Sequence, residues 1–285
     1  MSFIKHLKIT LEMIKFEHSL FALPFALMST VLASNGWPEK AKLFWIILAM
    51  VGARSAAMTF NRIVDWKIDA VNPRTRMRAL PAGLLSRNFA VLFTVVSSLV
   101  FVLVSLQLNR LCFWLSFPVL LILLFYSYTK RFSSFSHIVL GFCLGMAPLG
   151  AWIAIRGDIH WTPVLLCLIV MLWTGGFDII YACQDAEFDR SQNLFSIPKR
   201  FGIRAALRIS TGLHLLMLIL LLILLHLEGL GWISLLGTGV VAGLLYYEHQ
   251  LVRPNDLSKV NAAFFTVNGY VSILLLVAIG LDKLI

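Results

Sequence analysis

The chain has 285 residues, 59% of them hydrophobic and only 13% charged, and its mean hydropathy is +0.86. Because soluble domains carry roughly a quarter charged residues, this composition excludes an ordinary soluble domain. The formal net charge of +10 would suit a nucleic-acid partner, but the positions of the basic residues favour another explanation.

Apolar stretches follow one another along the chain, and each is close to the roughly 20 residues that an α-helix needs to cross a bilayer. We count nine of them, at residues 16–34, 41–60, 89–107, 111–129, 135–155, 162–183, 206–227, 230–248 and 260–281. The sequence therefore predicts an all-α, polytopic membrane protein with about nine transmembrane helices. No soluble domain interrupts the pattern, so residues 1–285 are predicted to form a single domain.

The basic residues are distributed unevenly between the two sides of this predicted topology. With the N-terminus inside, 18 of the 24 Lys and Arg residues fall on the inner side. Cytoplasmic loops of membrane proteins carry such an excess. The bias predicts a cytoplasmic N-terminus and an external C-terminus, in the inner membrane of a bacterial-type cell, and it explains most of the net charge without nucleic acid.

The segment NRIVDWKIDA, residues 61–70, follows the second apolar stretch with polar side chains at a regular spacing. Asn61, Asp65 and Asp69 lie four residues apart, so a continuing helix would present all three on one face. The charged connection over 61–88 is longer than most others in the chain, and long loops in compact bundles tend to be functional. We call these three residues the first acidic motif.

A related pattern, DIIYACQDAEFD, follows the sixth apolar stretch. Asp185 and Asp189, the second acidic motif, repeat the four-residue spacing 120 residues later. A polar residue precedes each motif by seven positions, Arg54 in the first case and Asp178 in the second. This similarity indicates a degenerate internal repeat, which is predicted to bring the two motifs together.

The ligand chemistry of the two motifs indicates a hard divalent cation. Carboxylates gathered near a bilayer repel one another unless cations bind them. Because only oxygen donors are present, we predict Mg²⁺, which usually bridges carboxylates to substrate phosphates. The candidate ligands are Asn61, Asp65, Asp69, Asp185 and Asp189. The basic residues that follow the motifs are candidates for binding a diphosphate: Arg74, Arg78, Lys199 and Arg200.

Taken together, these motifs resemble those of the UbiA superfamily of intramembrane aromatic prenyltransferases, and the resemblance spans nearly the whole chain. Both acidic motifs match, and the stretch RTRMRALPAG is similar to the family's arginine-rich loop. The stretch YSYTKRF is similar to a separate Tyr-x-x-x-Lys-Arg segment of the family, through Tyr126, Lys130 and Arg131. Three positions depart from the pattern: Arg62 where relatives often have Asp, Ala79 where Pro is common, and Phe195 where several have Lys.

The resemblance implies a fold and a reaction. The fold is about nine helices around a central cavity with a cytoplasmic cap. In the reaction, Mg²⁺ holds a polyprenyl diphosphate, which ionises to an allylic cation that alkylates an electron-rich ring. Asp65, Asp69, Asp185 and Asp189 would be catalytic, and Tyr126 and Lys130 would contact substrate.

Several polar residues within or near the apolar stretches are further candidates. Arg54 lies deep in a span, where an arginine normally has a partner or a ligand. We expect it to bind the acceptor's anionic group, to support the diphosphate site, or to pair with Asp178, which is itself a candidate for binding substrate. Tyr181 would contact acceptor or diphosphate. At the start of the first stretch, Glu17 would receive the ring proton or orient the acceptor, and His18 would act similarly.

The expected function is transfer of a polyprenyl group to 4-hydroxybenzoate in respiratory quinone biosynthesis. Other acceptors stay open at this point: a naphthoate, a futalosine-derived aromatic of the menaquinone route, or the haem side chain. An alternative from another class is a transporter that uses Arg54 and Asp178 at the midplane. Expected partners are the prenyl diphosphate, the small aromatic acceptor and membrane lipid.

Overall fold

A computed structural model of the protein describes residues 3–15 and 19–285. Glu17 and His18, both predicted to contact substrate, lie outside the described residues. The described part is built from α-helices and contains no strand. The helices are α1 Phe3–Met13, α2 Ser19–Ser34, α3 Lys40–Val71, α4 Arg87–Leu108, α5 Arg110–Thr129, α6 Ser136–Arg156, α7 Trp161–Ala182, α8 Ala186–Ser191, α9 Ile197–Phe201, α10 Ile203–Leu227, α11 Trp232–Leu251 and α12 Asn268–Leu284.

The predicted multi-pass, all-α class is confirmed, but the count of nine spans is not. Among the described residues, seven helical segments are long and apolar enough to cross a membrane: Lys40–Val71, Arg87–Leu108, Arg110–Thr129, Ser136–Arg156, Trp161–Ser191, Ile203–Leu227 and Ala262–Leu284. The other two predicted stretches correspond to α2, which contains the shorter apolar segment Phe21–Ser34, and to α11. The last residues of α11, Glu248 to Gln250, are polar and lower its hydropathy.

The chain divides into two compact units. The first consists of Met1–Ser19 and Ala41–Tyr128, and the second of Leu20–Lys40 and Thr129–Ile285. The first acidic motif belongs to the first unit, and the second acidic motif belongs to the second unit.

In the first unit, two arginines of α3 bind the C-terminal end of α1. The Arg62 Nε donates to the Met13 carbonyl at 3.3 Å, and the Arg54 Nη2 donates to the Lys15 carbonyl at 2.9 Å. The last carbonyl groups of a helix have no partner within it and carry its negative dipole end, so guanidinium groups suit them. Ile9 of α1 packs with Leu80 in the loop after α3. The amphipathic α1 is thus held within the first unit by apolar contacts and by the two arginines.

In the second unit, α6 and α7 approach each other closely along a stripe of small residues. A Cβ atom at Gly141 would collide with the Met171 carbonyl oxygen, and one at Gly145 with the Cys167 carbonyl oxygen. Such a Gly-x-x-x-Gly pattern allows two membrane helices to bring their backbones together. The close approach determines which side chains of α6 can reach α7.

A buried hydrogen-bond network joins three helices of the same unit. The Trp173 Nε1 of α7 donates to the Asn268 Oδ1 of α12 at 2.7 Å, and the Asn268 Nδ2 donates to the Glu248 Oε1 of α11 at 2.8 Å. Asn268 also donates to the Ala263 carbonyl in the π-helical turn Ala262–Val267, at 3.1 Å. Because unsatisfied polar groups are costly away from water, this network fixes how the helices pack.

The close approach of α6 to α7 leads to a test of packing. We expect Gly141→Val to lower the free energy of unfolding by about 1–3 kcal/mol, since the added side chain meets backbone that cannot turn away. Gly150→Val on the same helix is the matched control, because a Cβ there has no atom within 4 Å. Thermal unfolding of both variants in detergent measures the difference, and equal melting temperatures would contradict the packing argument.

Candidate functional site

The first acidic motif lies on the last turns of α3. This helix continues to Val71, so Asn61, Asp65 and Asp69 share one face as the spacing predicts. Asp65 is 2% exposed and Asp69 is 4% exposed. The Asn61 Nδ2 donates to the Asp65 Oδ2 at 3.2 Å. The motif therefore presents buried oxygen donors at the end of a membrane helix.

The loop after α3 turns back and pairs an arginine with the motif. The Thr75 hydroxyl donates to the Asp69 carbonyl at 3.1 Å, and the Asn72 Oδ1 accepts from the Arg74 amide at 2.9 Å. This tight turn brings the Arg78 Nη1 to 2.8 Å from both carboxylate oxygens of Asp69. The side chain of Arg78 remains 28% exposed, so the pair is accessible to a ligand.

Arg62 also belongs to the electrostatic environment of this motif. Its buried guanidinium interacts with Asp65, Asp69 and Arg78, and with Tyr126 of α5. Its positive charge offsets a buried carboxylate, and its Nε also binds the end of α1. Arg74 is exposed on the turn.

The second acidic motif does not lie on one regular helix. The helix α7 ends at Ala182, the turn Cys183–Asp185 is a 3₁₀-helix, and Asp189 lies on the short α8. A hydrogen bond from Ser196 reaches Asp189, which also interacts electrostatically with Asp185 and Lys130. The Phe195 amide donates to the Lys130 carbonyl at 2.8 Å, which fastens the segment after α8 to that residue.

The basic residues after the second motif stack on aromatic rings. The Lys199 Nζ lies 5.2 Å from the centroid of the Phe195 ring, and the Arg200 guanidinium lies 5.2 Å from that of Phe201. Phe195, one of the departures from the family pattern, thus serves as a support for Lys199. Tyr181 lies one turn before Asp185, and its ring centroid is 4.3 Å from that of Phe264.

The structure also brings to the site a residue that the sequence reasoning missed. The His137 Nδ1 of α6 lies 2.7 Å from the Asp178 Oδ2 of α7, and His137 also interacts electrostatically with Asp189. A histidine at the start of an apolar stretch was a visible signal, but only the pairing of α6 with α7 shows its partner.

The donor chemistry of both motifs fits Mg²⁺. All candidate ligands offer carboxylate or amide oxygens, and the carboxylates of the first motif are almost fully buried. Among the residues with described positions, no three His, Cys, Asp or Glu side chains within either unit converge to enclose a cation.

Known proteins with similar sequences cover most of the chain. Residues 22–270 match the UbiA prenyltransferase family. A 4-hydroxybenzoate octaprenyltransferase of Methylobacillus flagellatus is 32% identical over 237 residues, or 83% of this chain and 80% of the relative. One of Vibrio cholerae is 33% identical over 253 residues, or 89% of this chain and 88% of the relative.

Solved structures show the same fold. A UbiA homolog from Aeropyrum pernix K1, in its apo form, matches with a TM-score of 0.85 at 32% identity, covering 94% of this chain and 98% of that one. A UbiA homolog from Archaeoglobus fulgidus bound to DMAPP and Mg²⁺ matches with a TM-score of 0.68, covering 93% and 98%. Its identity is 20%, so that likeness shows the fold alone. The chain belongs to the UbiA prenyltransferase family and is a multi-pass membrane enzyme.

Proposed function

We propose that this protein transfers a polyprenyl group from a polyprenyl diphosphate to an aromatic acceptor of the 4-hydroxybenzoate type, in the biosynthesis of a respiratory quinone. The first acidic motif carries the proposal: Asp65 and Asp69 are buried on one helix face, and Arg78 pairs with Asp69. Two relatives above 30% identity are 4-hydroxybenzoate octaprenyltransferases, which supports the acceptor class. We assign residues 1–285 to one catalytic domain in the inner membrane, with the N-terminus and acidic motifs on the cytoplasmic side.

Arginines and lysines would bind the diphosphate. A guanidinium has five N–H donors, and the contact with Asp69 uses only Nη1 of Arg78, so donors remain for a phosphate oxygen. Arg74 is exposed on the same turn and carries a second guanidinium. In the second unit, Lys130 and Lys199 lie beside the segment that carries Asp189. With Arg200, these groups would orient the leaving group.

Asn61, Asp65 and Asp69 in one unit, and Asp185 and Asp189 in the other, would hold Mg²⁺. The bound cation would offset the negative charge that collects on the departing diphosphate. The residues themselves supply only oxygen donors, and the partners of Asp65 and Asp69 keep the buried carboxylates in position.

The acceptor and the allylic cation require different surroundings. Aromatic faces stabilise a cation, and Tyr181 with Phe264 and Phe265 forms an aromatic group one turn before Asp185. The Arg54 Nε is buried without a hydrogen-bond partner among the described residues, so it has a donor left for the acceptor's carboxylate. Glu17 and His18 remain candidates for accepting the ring proton.

Removing one carboxylate from either motif tests the assignment. We expect Asp65→Ala and Asp185→Ala each to reduce prenyl transfer by about a hundredfold or more, because charge stabilisation at the leaving group is lost. The measurement is transfer from a labelled polyprenyl diphosphate to 4-hydroxybenzoate in membranes. Glu187→Ala is the control, because Glu187 is an exposed carboxylate between the two residues of the second motif. Near-normal activity of both Asp65→Ala and Asp185→Ala would refute the assignment.

Metal dependence is a separate prediction. EDTA should stop the transfer and added Mg²⁺ should restore it, since the donor set has no sulfur or imidazole to retain another metal. Turnover that persists in chelator would rule out the metal-assisted mechanism.

The acceptor class is tested separately, by parallel assays with naphthoate and futalosine-derived acceptors.

Arg54 and Arg62 form a matched pair for testing acceptor binding, because both donate to carbonyls at the end of α1. If Arg54 binds the acceptor, Arg54→Ala should raise the KM for 4-hydroxybenzoate about tenfold or more, with little change in the KM for the prenyl diphosphate. Arg62→Ala should disturb α1 without this selectivity. Steady-state kinetics with each substrate varied measures the difference, and equal selectivity in both variants would reduce Arg54 to a structural role.

A further inference from the structure

Besides the acidic motifs, the second unit contains a hydrogen-bonded pair, His137 and Asp178, whose histidine has no part in the proposed function. The His137 Nδ1 and the Asp178 Oδ2 are 2.7 Å apart. The side chain of His137 is 6% exposed, and that of Asp178 is 19% exposed. The histidine is therefore enclosed, while its carboxylate partner can still meet a ligand.

The hydrogen bond fixes the role of each atom in the pair. When the carboxylate of Asp178 is ionised it only accepts hydrogen bonds, so the His137 Nδ1–H is the donor and the Asp178 Oδ2 the acceptor. The other ring nitrogen, Nε2, is buried and has no hydrogen-bond partner in the described part of the chain. Because neither solvent nor any described group contacts Nε2, the hydrogen bond to Asp178 is the one that the ring makes among the described residues.

Helix packing prevents the imidazole from moving away. His137 lies one turn before Gly141, where α6 meets the backbone of α7. Asp178 lies two turns after Met171, the residue that Gly141 approaches on α7. The Asp178 carboxylate is consequently held in one orientation, as histidine ligands of metals are held by their own hydrogen-bond partners. Among the described residues, its second oxygen, Oδ1, has no hydrogen-bond partner.

The charge of Asp178 decides what it can bind. A carboxylate repels a diphosphate but accepts a hydrogen bond from a hydroxyl group. A phenolic hydroxyl that donates to a carboxylate makes its ring more electron-rich, as alkylation by a cation requires. We propose that His137 is a positioning residue, which holds Asp178 so that the Oδ1 accepts a hydrogen bond from the hydroxyl of the aromatic acceptor. This inference rests on the proposed function.

The test compares two variants at His137. Glutamine can donate an amide N–H to the Asp178 Oδ2, whereas leucine cannot, so His137→Gln should stay within about threefold of wild type. His137→Leu should raise the KM for the phenolic acceptor about tenfold, with the KM for the prenyl diphosphate unchanged. An equal loss in both variants, or a loss that follows the prenyl diphosphate, would overturn the inference.

A change in the acceptor isolates the hydrogen bond. The methyl ether of the same acceptor has no hydroxyl to donate, so His137→Leu and wild type should have the same KM for the ether. If His137→Leu does not fold, as judged by thermal unfolding in detergent, the nearly isosteric Asp178→Asn replaces it in the same comparison. An equal rise in KM for the phenol and for the ether would overturn this inference but leave the proposed function intact. Absence of wild-type transfer to any phenolic acceptor would instead refute the proposed function, and this inference with it.

Discussion

Burial of charged groups at the ends of apolar helices is the constraint on which the rest of this structure depends. Away from water, a carboxylate is tolerated only with hydrogen-bond donors or a positive partner. Asp65 has Asn61, Asp69 has Arg78, Asp178 has His137 and Asp189 has Ser196. Arg78 and Ser196 belong to segments between helices, so these loops are ordered by the same contacts that hold the site.

The helical parts of the site could be predicted from the sequence because their rule is local. A four-residue spacing places Asn61, Asp65 and Asp69 on one face of any continuing helix, and α3 does continue to Val71. The second motif has the same spacing, yet the chain changes from α7 to a 3₁₀-turn and then to α8 there. Spacing alone does not reveal such a change, because it depends on how Ser196 and Phe195 fasten the segment.

Contacts between distant residues escaped the sequence reasoning for a different reason. His137 meets Asp178 across 41 residues, and Trp173 meets Asn268 across 95 residues. Both pairs exist because helices pack at particular places, such as the glycine stripe of α6. Buried polar residues in a membrane protein can nevertheless be recognised in the sequence as exceptions in apolar stretches. Each one predicts a polar partner elsewhere in the chain or a ligand.

Because Arg62 of α3 both binds the end of α1 and lies beside the first acidic motif, a change at position 62 affects both parts of the first unit. An acid at position 62 would add a third carboxylate to Asp65 and Asp69 and would face the carbonyl end of α1. A chain with an acid at position 62 must hold its N-terminal helix by another contact, or must have no helix at this place. Position 62 and the N-terminal segment are therefore expected to show epistasis: the sequence of the N-terminal segment decides which residues are tolerated at position 62.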